Sequence, residues 1–359
     1  MALDVKLIER LTEAPGVSGD ESEVRKLIRE RVTPLADSVR VDALGNLIAF
    51  KKARTRPGTG KRKLVMLAAH MDEVGLMVTH LDKSGYLRFD KVGGIDNRLL
   101  LAKRVLVGKK RLPGVIGVWP VHFLRRRTDR EKPPTAEELT IDIGAASLEE
   151  AQSLVSVGEH ACFETRSESR GGLIKAKALD DRIGCYILIE LLRDRHPFDL
   201  AAAFTVQEEV GLRGASVVAH QPKPDLAFIL EGTGAADFPQ PKGAEQGRVP
   251  AMGGGPVITL MDRSVFCDRG LVRLLEETAR RNRIPFQHKR PGIGGTDAGR
   301  IHLARGGVRT AVVAVPCRYI HAPAGLASLK DVASALKLMR SALRRLGRGG
   351  IPAGGAGQK

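Results

Sequence analysis

The chain predicts an α/β fold, a mixed sheet with helices against it and a smaller β-rich domain inserted into it, and three observations carry that expectation. Apolar runs of strand length (Leu64–Ala69, Leu226–Leu230, Thr310–Val315) alternate with helical periodicities such as Ile183, Ile187, Leu188, Leu191 and Leu192. Between residues 74 and 165 the texture changes to short β-like pieces separated by turns, with little helical periodicity. At 359 residues the chain is also long enough to divide into more than one domain. The expected division is a main domain of residues 1–73 plus 166–346, an insert of 74–165 and a disordered tail of 347–359.

In chain order, Leu7, Ile8 and Leu11 share one face of a first helix that Pro15-Gly16 ends. Ser18 and Asp20 are candidate caps for a second helix, whose apolar face holds Val24, Leu27 and Ile28. Val39–Val41 and Leu47–Phe50 flank Gly45-Asn46 as a hairpin. A basic loop, Lys51–Arg56 with Lys61–Lys63, precedes the strand Leu64–His70. Within the insert, Val74–Val78, Tyr86–Phe89, Arg104–Val107 and Gly114–Val118 read as strands, Leu148–Leu154 as a helix and Leu124–Thr135 as an exposed loop. The α/β pattern resumes at Gly171 with a helix from Ile183 buried on one face. A strand at Val257–Leu260 then precedes a helix bearing Leu271, Leu274, Leu275 and Thr278. The last helix spans about Ser328–Leu346, with Val332, Leu336, Met339 and Leu343 inward. The glycine-rich tail cannot build a core.

Composition narrows the function classes. The formal charge is +17, concentrated in loops that include Arg125–Arg127. Such patches attract phosphate backbones, but no helix-turn-helix, zinc-finger or RNA-binding motif accompanies them. They read as a solvated surface, with no dedicated nucleic-acid partner. No run approaches the roughly 20 apolar residues that span a bilayer, so no membrane association is expected. The N-terminus lacks a signal pattern, and Cys162, Cys185, Cys267 and Cys317 form no C-x-x-C pair. A cytoplasmic protein with reduced thiols is the expectation.

The chemistry lies at strand ends. Glu208 and Glu209 follow the apolar Phe204-Thr-Val; His70 closes its strand, with Asp72 two residues on. Asp180 and Asp181 precede the apolar helix, Glu231 ends a strand and His321 lies just past another. Adjacent carboxylates at the mouth of a buried strand are costly without a partner, and a divalent cation is the natural one. In open α/β sheets functional groups gather outside the carboxyl ends of strands. Any one of these residues alone is an ordinary surface group or core histidine; together they read as a site. Imidazole and carboxylate donors suit zinc, cobalt or manganese rather than a thiolate-loving metal. Two histidines and three carboxylates suffice for two divalent ions if one carboxylate bridges.

Ala69-His-Met-Asp-Glu-Val-Gly, Lys177-Ala-Leu-Asp-Asp-Arg182, Gln207-Glu-Glu-Val-Gly-Leu-Arg-Gly214, Gly294-Gly-Thr-Asp-Ala298 and Arg318-Tyr-Ile-His321 occur in that order. The set resembles the motifs of the dinuclear metallo-aminopeptidases that include glutamyl aminopeptidase and the tetrahedral, self-compartmentalising aminopeptidases. The resemblance runs from Pro15 to about Leu346. It implies an α/β metallopeptidase domain, a barrel-like insert used in dimer contacts, and dimers assembling to a dodecamer that trims short peptides.

It also implies roles. Asp180 would bridge the metals, His70 and Glu231 completing one and Glu209 with His321 the other, while Asp181 is a neighbour. Glu231 is a departure, since many relatives carry aspartate there. Glu208 matches the general base that takes a proton from a metal-bridging water and delivers it to the leaving amine. Asp72 supports the His70 imidazole or is a turn aspartate. Asp297 caps a helix or touches the substrate amine, and Arg318 and Tyr319 are close enough to His321 to line a pocket. An apolar N-terminal residue such as leucine is the expected preference, with an acidic one drawn by Arg318 as the competing reading.

Two other functions compete. Members of this family also carry the endoglucanase label, but glycosidases set two carboxylates facing each other across a bond, which adjacent Glu208 and Glu209 do not suit. A non-catalytic basic scaffold for nucleic acid would leave the whole ligand set unexplained.

Overall fold

Four apolar runs form the parallel centre of the sheet. These are β3 (Leu64–His70), β12 (Asp199–Thr205), β13 (Leu226–Gly234) and β15 (Arg309–Arg318), in the spatial order β12-β3-β13-β15. Each is buried along most of its length, which is why they read as continuous apolar stretches rather than alternating ones. The computed structural model describes residues 3–53, 63–123, 132–239 and 249–349. Antiparallel strands extend the sheet at both sides. The hairpin of β1 (Ser38–Val41) and β2 (Leu47–Lys51) pairs with β12, and β16 (Gly325–Ser328), β11 (Leu173–Ala176) and β10 (Glu168–Arg170) continue from β15. With β14 (Val257–Thr259) on β15 the mixed sheet has ten strands.

Register decides where the functional side chains stand. His70 pairs with Thr205, and Ile229 pairs with Ala68, so Glu231 lies level with His70 on the neighbouring strand. The carboxyl ends of β3, β12, β13 and β15 therefore open on one edge.

The helix Leu179–Leu192 packs on β3 and β13 beneath that edge. It departs from the expected one-sided burial. Every residue except Asp180 is buried, because the first, second and last helices cover the side away from the sheet. The first helix, Val5–Glu13, buries Leu7, Ile8 and Leu11 as expected. The second, Ser22–Val32, is not capped by Ser18 or Asp20. Its N-cap is Glu21, without a side-chain capping bond, and Ser18 is used elsewhere. The last helix runs Leu329–Gly349, past the expected end at Leu346; residues 350–359 lie outside the described residues. Lys51, read as part of a solvated basic loop, is instead a buried strand residue whose ammonium donates to the Leu192 carbonyl. Most of that loop and Arg125–Arg127 lie outside the described residues.

Between β3 and β10 the chain builds a closed barrel, in the order β4 (Gly75–Leu81), β5 (Leu87–Val92), β8 (Thr140–Asp142), β7 (Leu112–Gly117), β6 (Arg104–Val107) and β9 (His160–Phe163). Closure leaves no unpaired edge. The barrel has its own apolar core, including Leu76, Val78, Phe89, Val105, Ile116 and Ile141. Strands β8 and β9 escaped sequence reading because three- and four-residue strands carry too little alternation to register. All four cysteines are buried and free. Among the described residues no helix is long and apolar enough to cross a membrane.

Candidate metal centre

Five of the predicted residues meet in one cluster at the carboxyl edge of the sheet, although Glu231 does not end its strand, since β13 runs on to Gly234, and Asp180 stands at the start of the helix behind. His70 turns Nε2 toward Asp180 Oδ1 at 3.4 Å and Glu231 Oε2 at 3.6 Å. His321 turns Nε2 toward Glu209 Oε1 at 3.3 Å and Asp180 Oδ2 at 3.7 Å. Asp180 thus offers one oxygen to each histidine. Two donors each about 2.1 Å from a shared tetrahedral ion stand roughly 3.4 Å apart, so these separations match donors around a cation better than direct hydrogen bonds. Donor atoms of His70, Asp180 and Glu209 lie within 4.8 Å of one another, and so do those of His70, Asp181 and Glu231. Asp181, read from sequence as a neighbour, is therefore close to the His70 side, with Oδ1 accepting from the Gly184 N–H and Oδ2 buried without a partner.

The surroundings aim these groups. The Gly94 carbonyl, on the loop after β5, lies 3.1 Å from His321 Nδ1. A proton on Nδ1 leaves the Nε2 lone pair facing the cluster. Asp72 Oδ1 lies 3.3 Å from His70 Nδ1, near but out of line for a hydrogen bond. The aligned bonds of Asp72 go elsewhere: Oδ1 accepts from the Glu208 N–H at 3.0 Å, and Oδ2 from the Glu209 N–H at 3.1 Å and the Ser18 hydroxyl at 2.6 Å. Asp72 is fully buried and holds the backbone of both acids at their N–H groups. Gly232 allows close approach on the other side, where an added Cβ would stand 2.8 Å from Asp180 Oδ1.

Too much negative charge is buried here for the groups present. Burial raises the carboxyls of Glu208 and Glu231 well above their usual range and that of Glu209 to about 7. Burial also opposes ionisation of Asp180, but His321 and His70 outweigh it and hold this carboxyl low. The Asp180 carboxylate, 3.7 Å from its Nε2, in turn raises His321 to about 9. Glu231 Oε1 and Asp181 Oδ2 are buried without partners. Oxygen and imidazole donors left short of positive charge fit divalent cations.

A cavity of about 510 Å³ opens over the cluster, lined by His70, Asp180, Glu208, Glu209, Glu231 and His321. Leu212, Val249, Ile293 and Ile320 also line it, as do Lys289 and Arg290. None of these six was legible as a site residue.

Three expected substrate contacts lie apart from this cavity. The Arg318 guanidinium is engaged by the Asp237 carboxylate at 2.7 and 2.8 Å. Tyr319 packs on Phe238 with ring centroids 5.3 Å apart, and both Arg318 and Tyr319 border a small neighbouring cavity that shares Asp180, Glu209, Ile320 and His321 with the first. Asp297 precedes the short helix Ala298–Ile301 without a side-chain capping bond; it is fully buried and accepts a hydrogen bond from the Thr205 hydroxyl. Burial raises its carboxyl to about 6.

Comparison with known proteins agrees with this architecture. A putative aminopeptidase of Acetivibrio thermocellus is 41% identical over 94% of this chain and 97% of its own. A TET aminopeptidase structure from a marine-sediment thaumarchaeote superposes with a TM-score of 0.89 at 38% identity, covering 95% of this chain and 96% of that one. The TET1 peptidase of Pyrococcus horikoshii, described as assembling into a tetrahedron or a large octahedral shell, superposes at 0.81 with 35% identity, covering 94% and 98%. A family model for M42 glutamyl aminopeptidases matches residues 45–338. With the family model spanning most of its length, this chain belongs to the M42 glutamyl aminopeptidase family.

Proposed function

We propose that this aminopeptidase holds two divalent ions and removes N-terminal residues from short peptides. One observation carries the reading: the two Asp180 oxygens stand 3.4 and 3.7 Å from the Nε2 atoms of two different histidines. His70 and Glu231 would hold one ion and Glu209 and His321 the other, with Asp180 between them. Zinc, cobalt or manganese, when bound, would polarise the scissile carbonyl and make water more acidic.

The remaining steps belong to the protein. Glu208 lines the cavity and is outside both donor pairs around Asp180. It accepts a proton from the attacking water, whose oxygen bonds to the carbonyl carbon, and returns that proton to the amine as the C–N bond breaks. Asp72 acts through backbone, fixing Glu208 and Glu209 at their N–H groups. The acidic cluster gives a substrate's free α-ammonium a favourable place, which suits removal of terminal residues over internal cleavage.

The N-terminal side chain would lie along Leu212, Val249, Ile293 and Ile320, with Lys289 and Arg290 on the same cavity. Apolar and acidic residues are then accepted over basic ones. Arg318 is engaged by Asp237, and the cationic side chains that line this cavity are those of Lys289 and Arg290. The assembling TET relatives support a homo-oligomer; on the proposed reading the barrel makes the dimer contact and the dimers close as a dodecamer. Four free, buried thiols fit a reducing cytoplasm.

The test is hydrolysis of leucyl and glutamyl chromogenic substrates by chelator-stripped protein, before and after adding zinc, cobalt or manganese. Activity should vanish on stripping and return with metal; full activity in stripped protein would defeat the reading.

A further inference from the structure

Beneath the cluster lies a second set of charges that the chemistry does not use. Lys177 and Glu73 are each 3% exposed and Arg182 is fully buried. The Lys177 ammonium donates to both Glu73 carboxylate oxygens at 2.6 Å, and Arg182 Nη2 stands 3.5 Å from Glu73 Oε1.

Their places in the chain matter. Glu73 lies three residues after His70 and directly after Asp72, while Lys177 and Arg182 bracket Asp180. The charged set therefore ties the segment that supplies His70 to the segment that supplies the shared Asp180. A third segment joins them. Arg182 Nη1 donates to the carbonyls of Leu11 at 2.5 Å and Ala14 at 2.9 Å, and the Lys177 ammonium reaches Ala14 at 3.3 Å. These carbonyls end the first helix, where the helix dipole favours cations. Gly16 keeps the space open, since a Cβ there would stand 2.5 Å from Arg182 Nη2. Backbone bonds from the Glu73 N–H to Gly16 and from the Ser18 N–H to Glu73 continue the join, and the Ser18 hydroxyl closes it on Asp72.

We propose that Glu73, Lys177 and Arg182 are positioning residues that set the spacing between the His70–Asp72 and Asp180 segments, and through it the affinity and geometry of the paired cation positions. A buried charged set is weak evidence for stability, because apolar residues of similar volume often serve as well. Its distinctive contribution here is placement. Groups hydrogen-bonded directly to metal ligands are typically worth about 10–100-fold in metal affinity, the upper scale for residues that act one step further back. None of the three lines the main cavity; Glu73 and Lys177 border the small neighbouring cavity that Asp180, Glu209 and His321 also border, and all three act through the segments that carry His70, Asp72 and Asp180.

The inference rests on the two-cation reading, and the experiment separates the two. Cobalt(II) is titrated into stripped full-length protein against a competing chelator, its visible absorption is recorded, and the melting temperature of the metal-free protein is measured in parallel. Glu73→Gln keeps the shape and removes the charge. It should bind cobalt about 10–100-fold more weakly, with shifted visible bands. Glu73→Asp, which keeps the charge, should recover most of that affinity, and it also serves if Glu73→Gln does not fold. A Glu73→Gln protein that melts lower yet binds cobalt with wild-type affinity and bands would overturn the proposal, as would Glu73→Asp binding no better than Glu73→Gln. Wild-type protein that takes up no cobalt would overturn this inference and the metal-site reading together.

Discussion

The two histidines of the centre sit in contrasting surroundings. His70 is the last residue of a central parallel strand and is 1% exposed, with Glu231 level with it on the next strand. His321 lies in a loop, is 35% exposed, has a positive φ of 58° and is held by a carbonyl from the barrel side of the molecule. One side is fixed by sheet register and the other by a loop and a single hydrogen bond. On the proposed reading, Asp180 thus joins a deep position set by the sheet to a shallower one set by a loop. Cations should exchange faster and bind more weakly at the His321 side.

The most damaging way to break this picture is through the shared group. Asp180→Asn should lose both ions and all measurable turnover, because each histidine side loses a carboxylate oxygen. Retention of two tightly held ions by this variant, measured by elemental analysis after dialysis, would remove Asp180 from its bridging place.

Glu208 separates holding metal from moving protons. Glu208→Gln should lower kcat by about 10²–10⁴-fold, the usual worth of a general acid–base group. Metal content should stay near wild type; loss of both ions would make Glu208 a ligand and redraw both sides.

Smaller effects are expected from the cationic residues that border the cavity. Lys289→Glu should raise kcat/KM for lysyl over leucyl substrates by about threefold to tenfold, as befits a partly screened charge contact. An unchanged ratio across low and high salt would place Lys289 outside substrate contact.

The same contrast explains what was legible in the sequence. His70, Glu208, Glu209 and Glu231 could be found because each follows or ends an apolar run whose burial is written in its composition. Asp180 and His321 needed the neighbouring motif residues as well. Contacts between distant segments left no such trace. Gly94 meets His321 across 227 residues, and Asp297 meets Thr205 across 92. Arg318 looked available because Asp237, its partner, is 81 residues away and lies in no motif. Lys289 and Arg290 fall in a loop of mixed polarity, where no periodicity marks which side chains face a cavity. The helix behind the cluster reads as one-sided from its own residues because its outer cover comes from elements at both ends of the chain.

The unequal, carboxylate-joined pair is tested most directly by counting metal in wild-type and His321→Ala protein after equilibration with zinc and exhaustive dialysis. The expected result is two zinc ions per wild-type chain and one in His321→Ala, the remaining ion held at the His70 side. Two ions retained in the variant, or no more than one in the wild type, would contradict the account.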